Sequence, residues 1–139
     1  MKTRILMLAI FVALLLTLTI APAAAGQNSE QRVAPPKYDP ATEATFEGTV
    51  QEVRDRECPM SGGMGSHLIL KLSDGKTIEV HLATTKFVKT YDLVLKQGDK
   101  VSVLGTKVQF EGKETIFARQ ITRGTETTVF RDKAGKPIW

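Results

Sequence analysis

The chain contains little sulfur and few aromatic rings. Its 139 residues include one cysteine, one tryptophan, two tyrosines and two histidines. The single cysteine, Cys58, excludes an internal disulfide. In an oxidising compartment a lone thiol is buried, paired with another chain or bound to a ligand.

Motifs that mark common enzyme classes are missing as well. No glycine-rich phosphate loop follows a strand pattern, and no histidine–glutamate zinc motif is present. Cys58 could form a nucleophile pair with His67 or His81. The sequence, however, shows no residue that would orient such a pair and no pattern that indicates a cleft. The sequence therefore predicts a protein without catalytic activity.

Long hydrophobic runs are limited to the N-terminus. Two basic residues open the chain, an apolar stretch extends from Ile5 to Ile20, and small residues follow as far as Ala25. This order is typical of a cleaved signal peptide spanning residues 1–25. An uncleaved anchor is the alternative, but the run is short for a span of about 20 residues. We expect a periplasmic or secreted protein with no membrane span after cleavage.

Residues 26–44 are polar and contain three prolines, which predicts a flexible leader before a domain at 45–139. Cleavage of the signal peptide removes two of the 19 basic residues and none of the 15 acidic ones, so the net charge falls from +4 to +2. A nearly balanced charge does not favour nucleic-acid binding. The strands described next also carry no outward aromatic residue for base stacking.

Alternating apolar and polar residues predict an all-β domain with one short helix. The helix pattern lies between Thr84 and Gln97, with Thr84 or Thr85 as its N-cap and an end near Asp92. The predicted strands are Phe46–Val53, His67–Leu72, Thr77–Leu82, Lys100–Val108 and Thr115–Ile121, with a possible sixth at Val129 and Phe130.

The second and third strands can be aligned by their hydrophobic pattern. A two-residue turn would mix leucines with charged residues on one face. A three-residue turn with Gly75 in the left-handed conformation instead pairs Leu70 with Ile78 and Leu68 with Val80. We predict this second register, which places His67 directly opposite His81 on the outward face.

The strand order, with a helix between strands three and four, resembles the OB-fold, a small five-stranded barrel. The segments GTVQEV, HLILKLSDGKTIEVHL, GDKVSVLGTKV and IFARQI are similar to those of small exported bacterial OB-like domains of unassigned function. The resemblance extends from Thr45 to Trp139. It implies a five- to six-stranded barrel that binds an unidentified periplasmic ligand or protein through the face of strands two and three.

Two residues are candidates for contact with that ligand. Lys71 is predicted to point outward from the second strand. Trp139 either plugs an open end of the barrel or offers a stacking surface to the ligand. A binding or interaction module is therefore the leading function.

The loop after the first predicted strand concentrates the metal-binding residue types. Cys58, Met60, Met64 and His67 lie within ten residues, and the register adds His81. Thiolate, thioether and imidazole suit Cu(I), while thiolate and imidazole also suit zinc. The alternative is that the sulfur residues cover the barrel edge and that both histidines are ordinary exposed residues.

A copper or zinc site at these five residues is therefore the second candidate function, and no cofactor is assigned beyond it. The chain is also similar to small periplasmic copper carriers with an OB-like barrel in architecture, compartment and ligand type. The ligand pattern of those carriers is not reproduced at matching positions.

Overall fold

The computed structural model describes residues 34–139. The signal peptide predicted at 1–25 and the leader as far as residue 33 lie outside this range. The described chain forms strands β1 (Ala44–Cys58), β2 (Gly63–Leu72), β3 (Thr77–Thr84), β4 (Lys100–Phe110), β5 (Lys113–Arg123) and β6 (Glu126–Val129), with one α-helix, α1 (Thr85–Thr90).

The six strands form one sheet in the order β3-β2-β1-β4-β5-β6. The sheet closes into a barrel-like ring because β3 also pairs with β5, in parallel, over residues 79–81 and 115–117. The predicted all-β class with one short helix is confirmed. The narrower assignment to the OB-fold stays a prediction.

The predicted register of β2 and β3 is confirmed. Leu68 pairs with Val80, and Leu70 pairs with Ile78. The backbone N–H of Leu72 donates to the carbonyl of Lys76 at 2.8 Å, and Gly75 has a φ of 85°. The turn therefore uses glycine in the left-handed region, where a Cβ would be strained.

The alternating apolar residues of this hairpin line the inside of the ring. Burial of such a face is the main stabilising contribution to a domain of this size. Strands β1, β4 and β5 add their own inward residues, and helix α1 adds Phe87. The Thr84 hydroxyl accepts a hydrogen bond from the backbone N–H of Phe87 at 3.2 Å, so the predicted N-cap is confirmed.

The hairpin of β1 and β2 is longer than the sequence predicted. Strand β1 continues to Cys58, and β2 begins at Gly63 rather than at His67. Glycines disfavour strands, but here the backbone pairing with β1 outweighs that preference. A 3-10 helix at Pro59–Ser61 and Gly62, with a φ of 64°, make the turn.

Residues before β1 include a 3-10 helix at Pro40–Thr42. Tyr38, just before it, donates its hydroxyl hydrogen to Glu43 at 2.6 Å. The proposed domain boundaries stay predictions. Within residues 34–139, no helix has the length and apolar character needed to cross a membrane.

Candidate metal centre

The two histidines face each other on the side of the sheet opposite the leucines. His67 pairs with His81 across β2 and β3, as predicted. Both have 0% of their surface exposed, so the alternative that they are ordinary exposed residues is wrong. Strand alternation specifies the side on which a residue lies, but it does not specify what covers that side.

The cover comes from several elements distant in sequence. The turn between β1 and β2 folds back, so that Ser61 Oγ lies 3.0 Å from His81 Nε2. Phe117 of β5 lies beside His81, with ring centroids 5.6 Å apart. The indole of Trp139 lies 5.9 Å from the His81 ring. These contacts cover the His81 imidazole and help to seal the pair from water.

Cys58 completes a group of three metal-binding side chains with the histidines. One ligand atom from each of Cys58, His67 and His81 lies within 4.8 Å of the others, and all three residues are buried. The imidazole centroids are 5.0 Å apart, and the rings are nearly perpendicular, at 83°. A thiolate and two imidazoles are ligands for a borderline or soft transition metal.

A glycine makes room for this group. A Cβ added at Gly65 would lie 2.6 Å from Ser61 Oγ, 3.0 Å from Cys58 Cβ and 3.1 Å from His67 Nε2. No larger residue fits there without moving these side chains. Gly65 therefore allows Cys58, Ser61 and His67 to approach a common point.

Two imidazole nitrogens of the site, His67 Nε2 and His81 Nδ1, are fully buried and have no hydrogen-bond partner among residues 34–139. A third, His67 Nδ1, is also buried and lies close to a carboxylate without forming a well-aligned hydrogen bond. Burial, reinforced by the positive charge of Arg56, lowers the pKa of His67 to about 4. Burial and the neighbouring His67 lower the pKa of His81 to about 3. Both rings are therefore neutral near pH 7, the form that binds metals.

The other nitrogen of His67 faces a carboxylate. His67 Nδ1 lies 2.8 Å from Glu79 Oε1. Arg56 donates to the same oxygen at 2.9 and 3.0 Å, and the Lys113 ammonium contacts Oε2. Burial alone would raise the pKa of Glu79, but the hydrogen bonds from Lys113 and Arg56 outweigh it and lower the pKa to about 2. The carboxylate therefore stays charged and orients the His67 ring.

A buried arginine, Arg131, packs against the aromatic residues that cover His81. The Arg131 guanidinium stacks 4.8 Å from the Trp139 ring, 5.3 Å from Tyr38 and 5.7 Å from Phe117. Its Nη1 donates to the carbonyl of Gly135 at 3.1 Å. Burial lowers the pKa of Arg131 to about 10. These contacts fix the C-terminal segment against the site.

The two methionines of the predicted site lie in different surroundings. Met60 packs against an apolar cluster of Cys58, Phe110 and Phe117, which we call the outer cluster. Met64 is 47% exposed and, by strand alternation, points away from the side occupied by Gly65. The structure thus places Met60 against the cluster that contains Cys58 and leaves Met64 exposed.

The two ligand-contact candidates are not brought together. Lys71 lines an open groove of about 640 Å³ where β1, β2 and β4 meet, together with Lys100. Trp139 does not line this groove. It packs instead against the hydrophobic core inside the ring of strands, and its indole lies beside His81.

Sequence reasoning missed Glu79, Phe117 and Arg131 as members of the site. A signal for Glu79 was present, because it shares a strand face with His81 and its two sequence neighbours are apolar. For Phe117 and Arg131 no local signal exists, since the ring closure and the C-terminal segment bring them to the site.

Comparison with known proteins identifies the family. A search among curated proteins gives no match. The family model for MamS/MamX magnetosome proteins matches residues 42–128, more than half of the chain. The matched range contains Cys58, His67 and His81, whereas Arg131 and Trp139 follow it. By this match, the chain belongs to the MamS/MamX magnetosome protein family.

Proposed function

We propose that this member of the MamS/MamX family is an exported, non-catalytic binding domain that holds one transition metal ion at Cys58, His67 and His81. The observation that carries the proposal is the close approach of three buried ligand atoms, all within 4.8 Å of one another. The family name further suggests that the domain acts at the magnetosome.

The unpartnered nitrogens of the two histidines support this proposal. A buried donor or acceptor without a partner costs about 1–3 kcal/mol. His67 Nε2 and His81 Nδ1 are two such atoms. Coordination of a metal by a nitrogen of each ring would satisfy groups that otherwise reduce stability.

The ligand types limit the metal to a small group. A cysteine sulfur and two neutral imidazoles favour zinc and copper over magnesium or calcium, which prefer oxygen ligands. Cys58 must give up its proton on binding, so we expect binding to release a proton and to strengthen as the pH rises.

The contact between Glu79 and His67 is the arrangement that metal-binding histidines commonly use. A carboxylate that accepts from Nδ1 leaves Nε2 free for the metal and increases its basicity. His67 Nε2 is the atom directed toward the space beside Gly65 and Cys58.

The direct test is metal titration of the purified protein. Zn(II) and, without oxygen, Cu(I) are added in competition with a chromophoric chelator, and bound metal is counted after desalting. We expect one ion per chain, and at least a tenfold loss of affinity in Cys58→Ser and in His67→Gln.

Met64→Leu is the matched control, because Met64 lies on the same hairpin but is exposed. This variant should bind metal like the native protein. Far-ultraviolet circular dichroism of each variant separates a lost ligand from a lost fold. The proposal is refuted if the Cys58→Ser variant is folded and binds metal as tightly as the native protein does.

A further inference from the structure

A second sulfur-containing side chain, that of Met60, packs beside the candidate metal centre. Met60 lies on the 3-10 helix between β1 and β2, next to Ser61, which contacts His81. It packs against the outer cluster, which contains Cys58. One turn thus brings a thioether to the same cluster as the thiol ligand.

The surroundings differ from those of a zinc site. Catalytic zinc keeps one position open to water, whereas Cys58, His67 and His81 are all sealed from solvent. Structural zinc is held by four strong nitrogen or sulfur ligands. The group found within residues 34–139 contains three such ligands, beside the aromatic rings of Phe110 and Phe117.

One cysteine, two histidines and a nearby thioether match a different metal. Copper sites that transfer electrons have a trigonal thiolate and two imidazoles, with a distant methionine as the fourth ligand. We infer that the centre binds copper as a one-electron redox site, with Met60 as its weak fourth ligand. This inference rests on the metal-binding function proposed above.

The redox step moves one electron and no atoms. A reduced one-electron carrier protein loses an electron, and Cu(II) becomes Cu(I) while the thiolate and both imidazoles stay bound. The Glu79 contact with His67 and the packing of Cys58 in the outer cluster hold these ligands in place in advance. A rigid, dry ligand set changes little between the two oxidation states, which favours rapid electron transfer.

The test is spectroscopic and uses the purified chain loaded with Cu(II). A thiolate bound to Cu(II) gives an intense visible charge-transfer band and a narrow copper hyperfine splitting in electron paramagnetic resonance. We expect ascorbate to bleach the band and ferricyanide to restore it. The zinc-loaded protein should show no band.

Three variants test the role of Met60. Met60→Leu should raise the midpoint potential, because Cu(II) loses a weak donor, and Met60→Gln should lower it, because an amide oxygen is a stronger donor. Met64→Leu is the matched control and should leave the potential unchanged. The same potential in all three variants would overturn the assignment of Met60.

The outcomes separate this inference from the proposed function. If zinc binds stoichiometrically through Cys58 but Cu(II) gives no charge-transfer band, the redox inference is wrong and the metal-binding function stands. If neither zinc nor copper binds, both are wrong. A reversible band that is lost in Cys58→Ser supports both.

Discussion

Around the histidine pair, both faces of the β2–β3 hairpin are buried, but their chemistry is opposite. The inner face carries Leu68, Leu70 and Val80, each with no exposed surface. The outer face carries His67, Glu79 and His81, which are just as inaccessible. Burial alone therefore does not distinguish a hydrophobic core from a candidate functional site.

The two faces differ in whether their buried groups need hydrogen-bond partners and have them. Apolar side chains need no partner, and each one that is removed from water contributes about 1.5–3 kcal/mol. Buried polar groups reduce stability unless they are paired. The inner face thus stabilises the fold, whereas the outer face retains unpartnered nitrogens that a ligand can satisfy.

Acid should affect the outer face most. Between pH 6.5 and about 4, unfolded chains bind protons on His67 and His81 while the folded rings stay neutral. The unfolded state then binds more protons, so the free energy of unfolding falls, by about 1.4 kcal/mol per pH unit for each ring at most. Below pH 4.5, Glu79 adds to the loss, because its folded pKa is about 2.

Urea denaturation of the metal-free protein between pH 7 and pH 4.5 measures this dependence. The double variant His67→Gln, His81→Gln should show a flatter profile. Leu70→Ala should shift the whole profile downward without changing its slope. An unchanged slope in the double variant would contradict the assignment to these two rings.

Truncation on the inner face should be the next largest effect. Leu70→Ala removes a fully buried side chain and leaves a cavity. We expect a loss of about 2–5 kcal/mol in the free energy of unfolding at pH 7, with metal stoichiometry unchanged. The neighbouring Lys71→Ala, on an exposed side chain, is the control and should change stability by less than about 0.5 kcal/mol.

A methyl group added beside the proposed metal ligands should reduce stability less than Leu70→Ala does. It should, however, weaken metal binding, which Leu70→Ala should not. Gly65→Ala forces contacts with Ser61 and His67, so we expect a loss of about 1–3 kcal/mol. It should also weaken metal binding at least tenfold, as measured by chelator competition. Gly63→Ala, where nothing lies within 4 Å of the new Cβ, should affect neither property.

Neutralising the carboxylate behind His67 should weaken metal binding. Glu79→Gln keeps the shape but loses the charge that orients the ring, so metal affinity should fall about 10–100-fold. Glu111→Gln is the control. Glu111 pairs with the same Arg56 at 2.7 Å but is 39% exposed, and no contact with a histidine is found for it within residues 34–139. Equal affinities in both variants would remove the role given to Glu79.

Several features of the fold could be predicted because they depend on neighbours in sequence. The pairing of Leu68 and Leu70 with the apolar residues of the next strand set the register of β2 and β3, and Gly75 allowed the three-residue turn that keeps this pattern. The cap at Thr84 followed from the residue type. The start of β2 at Gly63 was missed, because its glycines indicate a loop unless the partner strand is known.

The sequence by itself specified the hydrophobic pattern, the pairing of His67 with His81 and the ligand types near them. Only the tertiary structure decided that this pair is sealed, joined to Cys58 and Met60 and supported by Glu79. The physical reason is that strand alternation is a local property of the backbone. The cover over the outer face comes instead from a folded-back turn, a ring-closing strand and a C-terminal segment that meet through long-range contacts.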